Sequence, residues 1–234
     1  MAGRLTAALF LVLGACSSGG GGPVAPGAGP DTAKVPLPEL AGGSYLGFRG
    51  GLYPEGNTPP AAHAAAGRAS AARVVPRDAQ GRPAAAGKIV LLSVGMSNTT
   101  QEFCSGRGTL PCDPWTFVGQ AGRDPAVNRA TLVLANGAVG GQVAETWDRP
   151  SLPNYDHVRD DVLHPQGLTE AQVQVVWLKV ANAQPRTALP AAGADAYALQ
   201  ASMGASRARC GRGIPTCSRC SSPAASTPGT PPPR

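Results

Sequence analysis

Three short segments hold the residues that could do chemistry, and each follows an apolar run. The first is Gly95-Met96-Ser97-Asn98, directly after Ile89-Val90-Leu91-Leu92-Ser93-Val94. That run is mostly apolar and β-branched, as a buried parallel strand requires. Gly95 breaks it, and Ser97-Asn98-Thr99 offer helix N-cap chemistry, so strand, turn and helix start are predicted in succession. The hydroxyl of Ser97 then stands at the carboxyl end of a sheet, where open α/β folds bind ligands. Beside the N–H groups of a helix start, it has the surroundings of an acyl-transfer nucleophile. The competing use of Ser97 or Asn98 is simple helix capping. The second segment is Asn136-Gly137-Ala138-Val139-Gly140-Gly141-Gln142, after Thr131-Leu132-Val133-Leu134-Ala135. The third is Val180-Ala181-Asn182-Ala183, after Val173-Gln174-Val175-Val176-Trp177-Leu178-Lys179.

The elements that must position these segments are legible from the pattern. Strands are expected over 88–94, 131–135 and 173–179. Helices are expected over 61–75, 98–103, 115–121 and 191–203, with a further helical stretch ending at 169–172. Long helical connections between strands call for a parallel α/β sheet with right-handed crossovers. In such a sheet the three turns share one edge.

The three turns resemble the first three sequence blocks of the SGNH hydrolases, the GDSL esterase and lipase superfamily. Gly95-Met96-Ser97-Asn98 is similar to the G-Q-S-N form of the first block, found in carbohydrate acetylesterases. The stretch 45–182 also looks like a group of uncharacterised secreted bacterial proteins that carry I-G-M-S-N-T-T-Q-E-F. The resemblance implies a three-layer α/β/α, flavodoxin-like fold with a parallel sheet. It also implies Ser97 as nucleophile and an oxyanion hole built from the N–H groups of Ser97 and Gly141 with the Asn182 amide. No cofactor or metal is implied, and the ligand is an acylated carbohydrate or another small ester. Met96, Val180 and Ala183 depart from the family pattern.

The family's general base is a histidine in a D-x-x-H block after the third block. This chain has only His63, His157 and His164, all before Asn182. Asp161-Val162-Leu163-His164 spells D-x-x-H elsewhere in the chain. It makes His164 the candidate base and Asp161 its partner, because geometry and not chain order defines a triad. His63 and His157 read as solvated. Without the terminal histidine Ser97 is a poor nucleophile at neutral pH. The alternative reading is therefore a non-catalytic lipoprotein that binds a polar ligand or glycan at the same sheet edge. Trp115, Trp147 and Trp177 are candidates to line a sugar site, although Trp177 falls within a strand and reads as core.

The ends of the chain read differently. Residues 1–15 have a basic start and an apolar stretch too short to span a bilayer, as in a signal peptide. Leu13-Gly14-Ala15-Cys16 resembles a bacterial lipobox, which implies acylation of Cys16 and a membrane as partner. Ser17 after it points, by family precedent, to the outer membrane of the cell envelope. Residues 16–40 are a flexible tether, 41–203 the α/β domain, and 204–234 a disordered Arg/Pro/Ser/Cys-rich tail. The tail's composition suits the product of a shifted reading frame, with the α/β domain left incomplete at its C-terminus. Arg4 and the five arginines beyond residue 203 account for the whole net charge of +6. The remainder is neutral, so its charge gives no argument for nucleic-acid binding. The C-x-x-C at Cys217 and Cys220 lacks a second ligand pair for zinc. Cys104 and Cys112, flanking a Gly- and Pro-containing loop, are the disulfide candidates, with two free thiols as the other option.

Overall fold

Alternation along one strand sets the two faces of the sheet. In the computed structural model, which describes residues 35–40, 43–105, 111–149 and 151–210, two short strands come first, β1 (Ser44–Tyr45) and β2 (Phe48–Arg49). They form a hairpin whose turn residues Leu46 and Gly47 both have positive φ. The strands β3 (Ile89–Gly95), β4 (Leu132–Asn136) and β5 (Val173–Lys179) form a parallel sheet in the order β4-β3-β5. The α/β class with a parallel sheet is thereby established. The segments read as signal peptide and lipobox, and residues 211–234, lie outside the described residues.

Val90, Leu92 and Val94 of β3 are fully buried on one face, together with Ala135, Trp147, Val158, Leu163 and Val173. Each of these valines and leucines contributes roughly 1.5–3 kcal/mol by leaving water. Ser93, Asn136 and Trp177 occupy paired register positions on the opposite face. There Phe103 packs against both Phe117 and Trp177, with ring centroids 5.5 and 5.6 Å apart.

The helices are α1 (Ala61–Ala71), α2 (Ser97–Phe103), α3 (Phe117–Arg123), α4 (Pro153–His157) and α5 (Asp195–Cys210). Helix α1 ends four residues before the limit expected from sequence, at Ala71. The cause is Gln174, whose amide takes over the backbone of Val75: the Val75 N–H donates to Oε1 and Nε2 donates to the Val75 carbonyl. Helix α3 starts at Phe117 because Thr116 caps it, its Oγ1 accepting from the Gly119 N–H at 3.2 Å. Helix α5 starts later than the expected 191 and continues to Cys210, into the segment read as tail. Ser206 is fully buried and donates to the Trp147 carbonyl at 3.1 Å, which anchors this extension. Cys104 and Cys112 are joined in a disulfide with a Cα–Cα distance of 4.6 Å.

Candidate functional site

The turn that presents Ser97 exists because of its neighbours. Gly95 has φ +152°, and a Cβ there would lie 2.0 Å from the Lys179 carbonyl oxygen and 2.6 Å from Thr99 Oγ1. Only glycine lets β5 and α2 close on the end of β3 this tightly. Thr99 is fully buried; its Oγ1 donates to the Lys179 carbonyl at 2.7 Å and accepts from the Met96 N–H at 3.2 Å. Thr100 Oγ1 donates to the Ala138 carbonyl at 2.7 Å, and Asn136 Nδ2 donates back to the Thr100 carbonyl at 3.3 Å. Ser93 Oγ donates to Asn136 Oδ1 at 2.6 Å. The two threonines therefore fasten α2 to the ends of both strands that flank β3.

This leaves Ser97 without a structural task. Met96 is the N-cap and Ser97 the first helical residue, exposed, with no side-chain cap bond. The capping use of Ser97 does not occur. As the first helical residue, Ser97 also has a backbone N–H with no partner inside the helix.

Ser97 lines a cleft of about 400 Å³ together with Gln101, Asn136, Gly140, His157 and Asp161. Gly140 sits against the serine: a Cβ added to it would lie 3.8 Å from Ser97 Cβ. Gly141 follows with φ +78°, in a turn whose Gln142 N–H reaches the Val139 carbonyl at 3.4 Å. A positive φ at the second central position is a glycine requirement of such turns. Gly140 lines the cleft, and Gly141 stands next to it at the exposed side of the turn.

Across the cleft, His157 Nδ1 and Asp161 Oδ2 are 2.8 Å apart. The pair spans the junction of α4 with a π-helical segment, Val158–Leu163. Helix α4 is held by its buried side chains. Asn154 Nδ2 donates to Gln142 Oε1 at 3.1 Å and to the Thr146 carbonyl at 3.2 Å, and the Tyr155 hydroxyl donates to the Trp147 carbonyl at 2.7 Å. Gln142 belongs to the turn that brings Gly140 to Ser97, so one network positions both walls of the cleft.

Asp161 and His164 do not pair with each other. His164 Nδ1 lies 3.5 Å from Asp160 Oδ1, and Asp161 turns to His157. Residues 157 and 161, like 160 and 164, are four apart and share a helix face. Arg159 bridges Asp156 at 2.8 Å and Asp160 at 2.6 Å, and its guanidinium holds the Asp160 carboxyl below the usual carboxylate range. His157, read from sequence as solvated, lines the same cleft as Ser97. The signal was its spacing to Asp161 behind a proline-initiated helix start.

Asn182 is elsewhere. Its Nδ2 donates to the Asp195 carbonyl at 2.9 Å, and it is not part of the cleft lining. The Asp195 carboxylate accepts the N–H groups of Thr187 and Arg186, both at 2.6 Å, which keep its carboxyl below the usual range. Together these bonds close the 182–195 loop onto the start of α5. Trp147 is fully buried and Trp177 belongs to the aromatic cluster; Trp115 is exposed. Among the described residues, no group of three or more His, Cys, Asp or Glu side chains could hold a metal ion. Comparisons with protein families, with curated proteins and with solved structures find no match to this chain.

Proposed function

We propose that this protein is a serine ester hydrolase on an SGNH-type scaffold, with His157 and Asp161 as the base pair. The observation that carries the reading is that Ser97, His157 and Asp161 line one cleft at the carboxyl end of a parallel sheet. In chain order the sheet runs second-first-third, which agrees with the start of the flavodoxin-like order.

The chemistry follows from the side chains. A neutral His157 that donates Nδ1–H to Asp161 has Nε2 as its acceptor. Ser97 Oγ attacks the ester carbonyl carbon while its proton passes to Nε2. The carbonyl oxygen, now an oxyanion, accepts from the Ser97 N–H and from the Gly140-Gly141 turn. Loss of one such donor costs about 3 kcal/mol of transition-state stabilisation. The imidazolium returns its proton to the leaving alkoxide, and water repeats the sequence to release the acid. Cys16, acylated, tethers the enzyme to the outer membrane, where it meets acylated carbohydrate or other small esters. Hydrolysis of p-nitrophenyl acetate tests the reading: wild-type protein turns the ester over and Ser97→Ala does not.

One observation favours the second reading, a lipoprotein that binds a polar ligand without turnover. The Asn182 amide, the expected third oxyanion donor, donates to the Asp195 carbonyl and does not line the cleft. Saturable ligand binding with no turnover by folded protein marks that case.

A further inference from the structure

Exposed apolar side chains are concentrated in one short stretch. From Pro36 onward, seven large apolar residues among the described ones are exposed, and five of them, Leu37, Tyr45, Leu46, Phe48 and Leu52, fall within sixteen positions. Each of the five is between 37% and 57% exposed. A single exposed leucine is ordinary, whereas a cluster of this kind marks a docking surface.

The stretch is built. The Gly50 N–H donates to the Gly43 carbonyl and the Gly51 N–H to the Leu37 carbonyl, both at 2.9 Å. Asn57 Oδ1 accepts from the Leu52 N–H at 3.0 Å, and its Nδ2 donates to the Pro38 carbonyl at 2.7 Å. Leu40 turns inward: a Cβ on the buried Gly50 would lie 2.3 Å from Leu40 Cβ. Phe48 meets Tyr197 of α5 edge-on, with ring centroids 6.5 Å apart. The fold itself therefore holds the five apolar side chains outward. The hairpin tip adds to this. Leu46 and Gly47 have φ of +50° and +84°, and tight turns with positive φ at both positions favour Asn-Gly. A leucine at the first position puts an apolar side chain at the apex against the local conformational preference.

We propose that this face docks on the surface of a phospholipid bilayer. The choice of partner rests on the lipoprotein reading of Cys16. Pro36 follows Cys16 by twenty residues, so the chain keeps the face within about 70 Å of the acyl chains. Contact with the same bilayer is then an intramolecular event. The side chains suit an interface: Tyr45 and Phe48 flank the tip, as aromatic rings do at headgroup level, and Leu46 reaches the acyl boundary. The charged residues of 36–57 are Glu39, Arg49 and Glu55, so attraction to anionic lipid contributes little. Alone, the face binds weakly and reversibly; beside the acyl chains it fixes which side of the protein meets the membrane.

Hydrogen exchange of full-length Cys16→Ala protein, with and without phosphatidylcholine vesicles, tests the face without its acyl anchor. Vesicles slow exchange over 44–52, and the slowing persists at high salt. Leu46→Asn, which gives the turn its preferred pair, weakens vesicle affinity on the order of tenfold while the urea midpoint stays or rises. Vesicle binding that leaves 44–52 unprotected overturns the proposal, and so does the absence of vesicle binding. Slowing of 44–52 by protein concentration alone, without vesicles, puts a second copy on this face and overturns it too. Protection by vesicles in a protein whose wild type incorporates no palmitate keeps the docking face and overturns the lipoprotein reading.

Discussion

The hydroxyl of Thr99 is committed inside the fold, whereas that of Ser97, two residues earlier, is left to the cleft. This division predicts opposite phenotypes. Thr99→Val removes the hydroxyl that the part-buried Lys179 carbonyl accepts from and costs about 1–3 kcal/mol, measured by urea unfolding. Ser97→Ala leaves that unfolding curve in place and removes turnover. The histidines divide in the same way. His157→Ala lowers kcat/KM by roughly 10²–10⁴, the range for loss of a general base, and Asp161→Asn lowers it less. His164→Ala, at a side chain that faces Asp160, leaves turnover where it is.

At the scale of elements, two predictions concern how segments are tied. Replacing Cys104 and Cys112 by alanine opens a loop with a sequence separation of 8. The loss is about 2.5 kcal/mol by loop-closure entropy, visible as a lower denaturation midpoint that wild type matches under reductant. Asp195 ties the 182–195 loop to α5 as a carboxylate. Its folded-state pKa is lower than its unfolded one, so its contribution is present above the ordinary carboxylate range. That contribution fades as pH falls through the folded value. Urea midpoints from about pH 6 down to about pH 3 show this acid-side loss in wild type, and Asp195→Asn flattens it.

The sheet strands were legible because long apolar, β-branched runs have few other uses: β5 coincides with its expected span, and β3 and β4 begin one residue late. The Ser97 turn was legible for the same reason. What resisted reading was tertiary. Nothing local says that Gln174 ends α1 by binding Val75, or that Ser206 anchors α5 past residue 203. His157 sits among polar neighbours that look solvated, and its meaning depends on a cleft wall supplied by Ser97 and Gly140, far away in sequence. Asp161 drew attention through D-x-x-H, whereas its carboxylate meets His157 and His164 meets Asp160.

On the scale of the whole molecule, the sheet places Ser97, His157 and Asp161 at one corner, between α2 on one side and α4 with the π-helical segment on the other. Of the net charge of +6, five units lie in residues 204–234 and one in 41–203, so the region around the cleft carries little overall charge to attract anionic polymers. If Cys16 is the anchor, Cys16→Ala moves the protein from the membrane fraction to the soluble one and abolishes palmitate incorporation.

Activation of the Ser97 hydroxyl by His157 and Asp161 is read by reaction of folded, full-length protein with a fluorophosphonate probe, followed by peptide mapping. One adduct is expected, on Ser97, formed much more slowly in His157→Ala. Folded protein that takes no label, or takes it at another serine, rules that activation out.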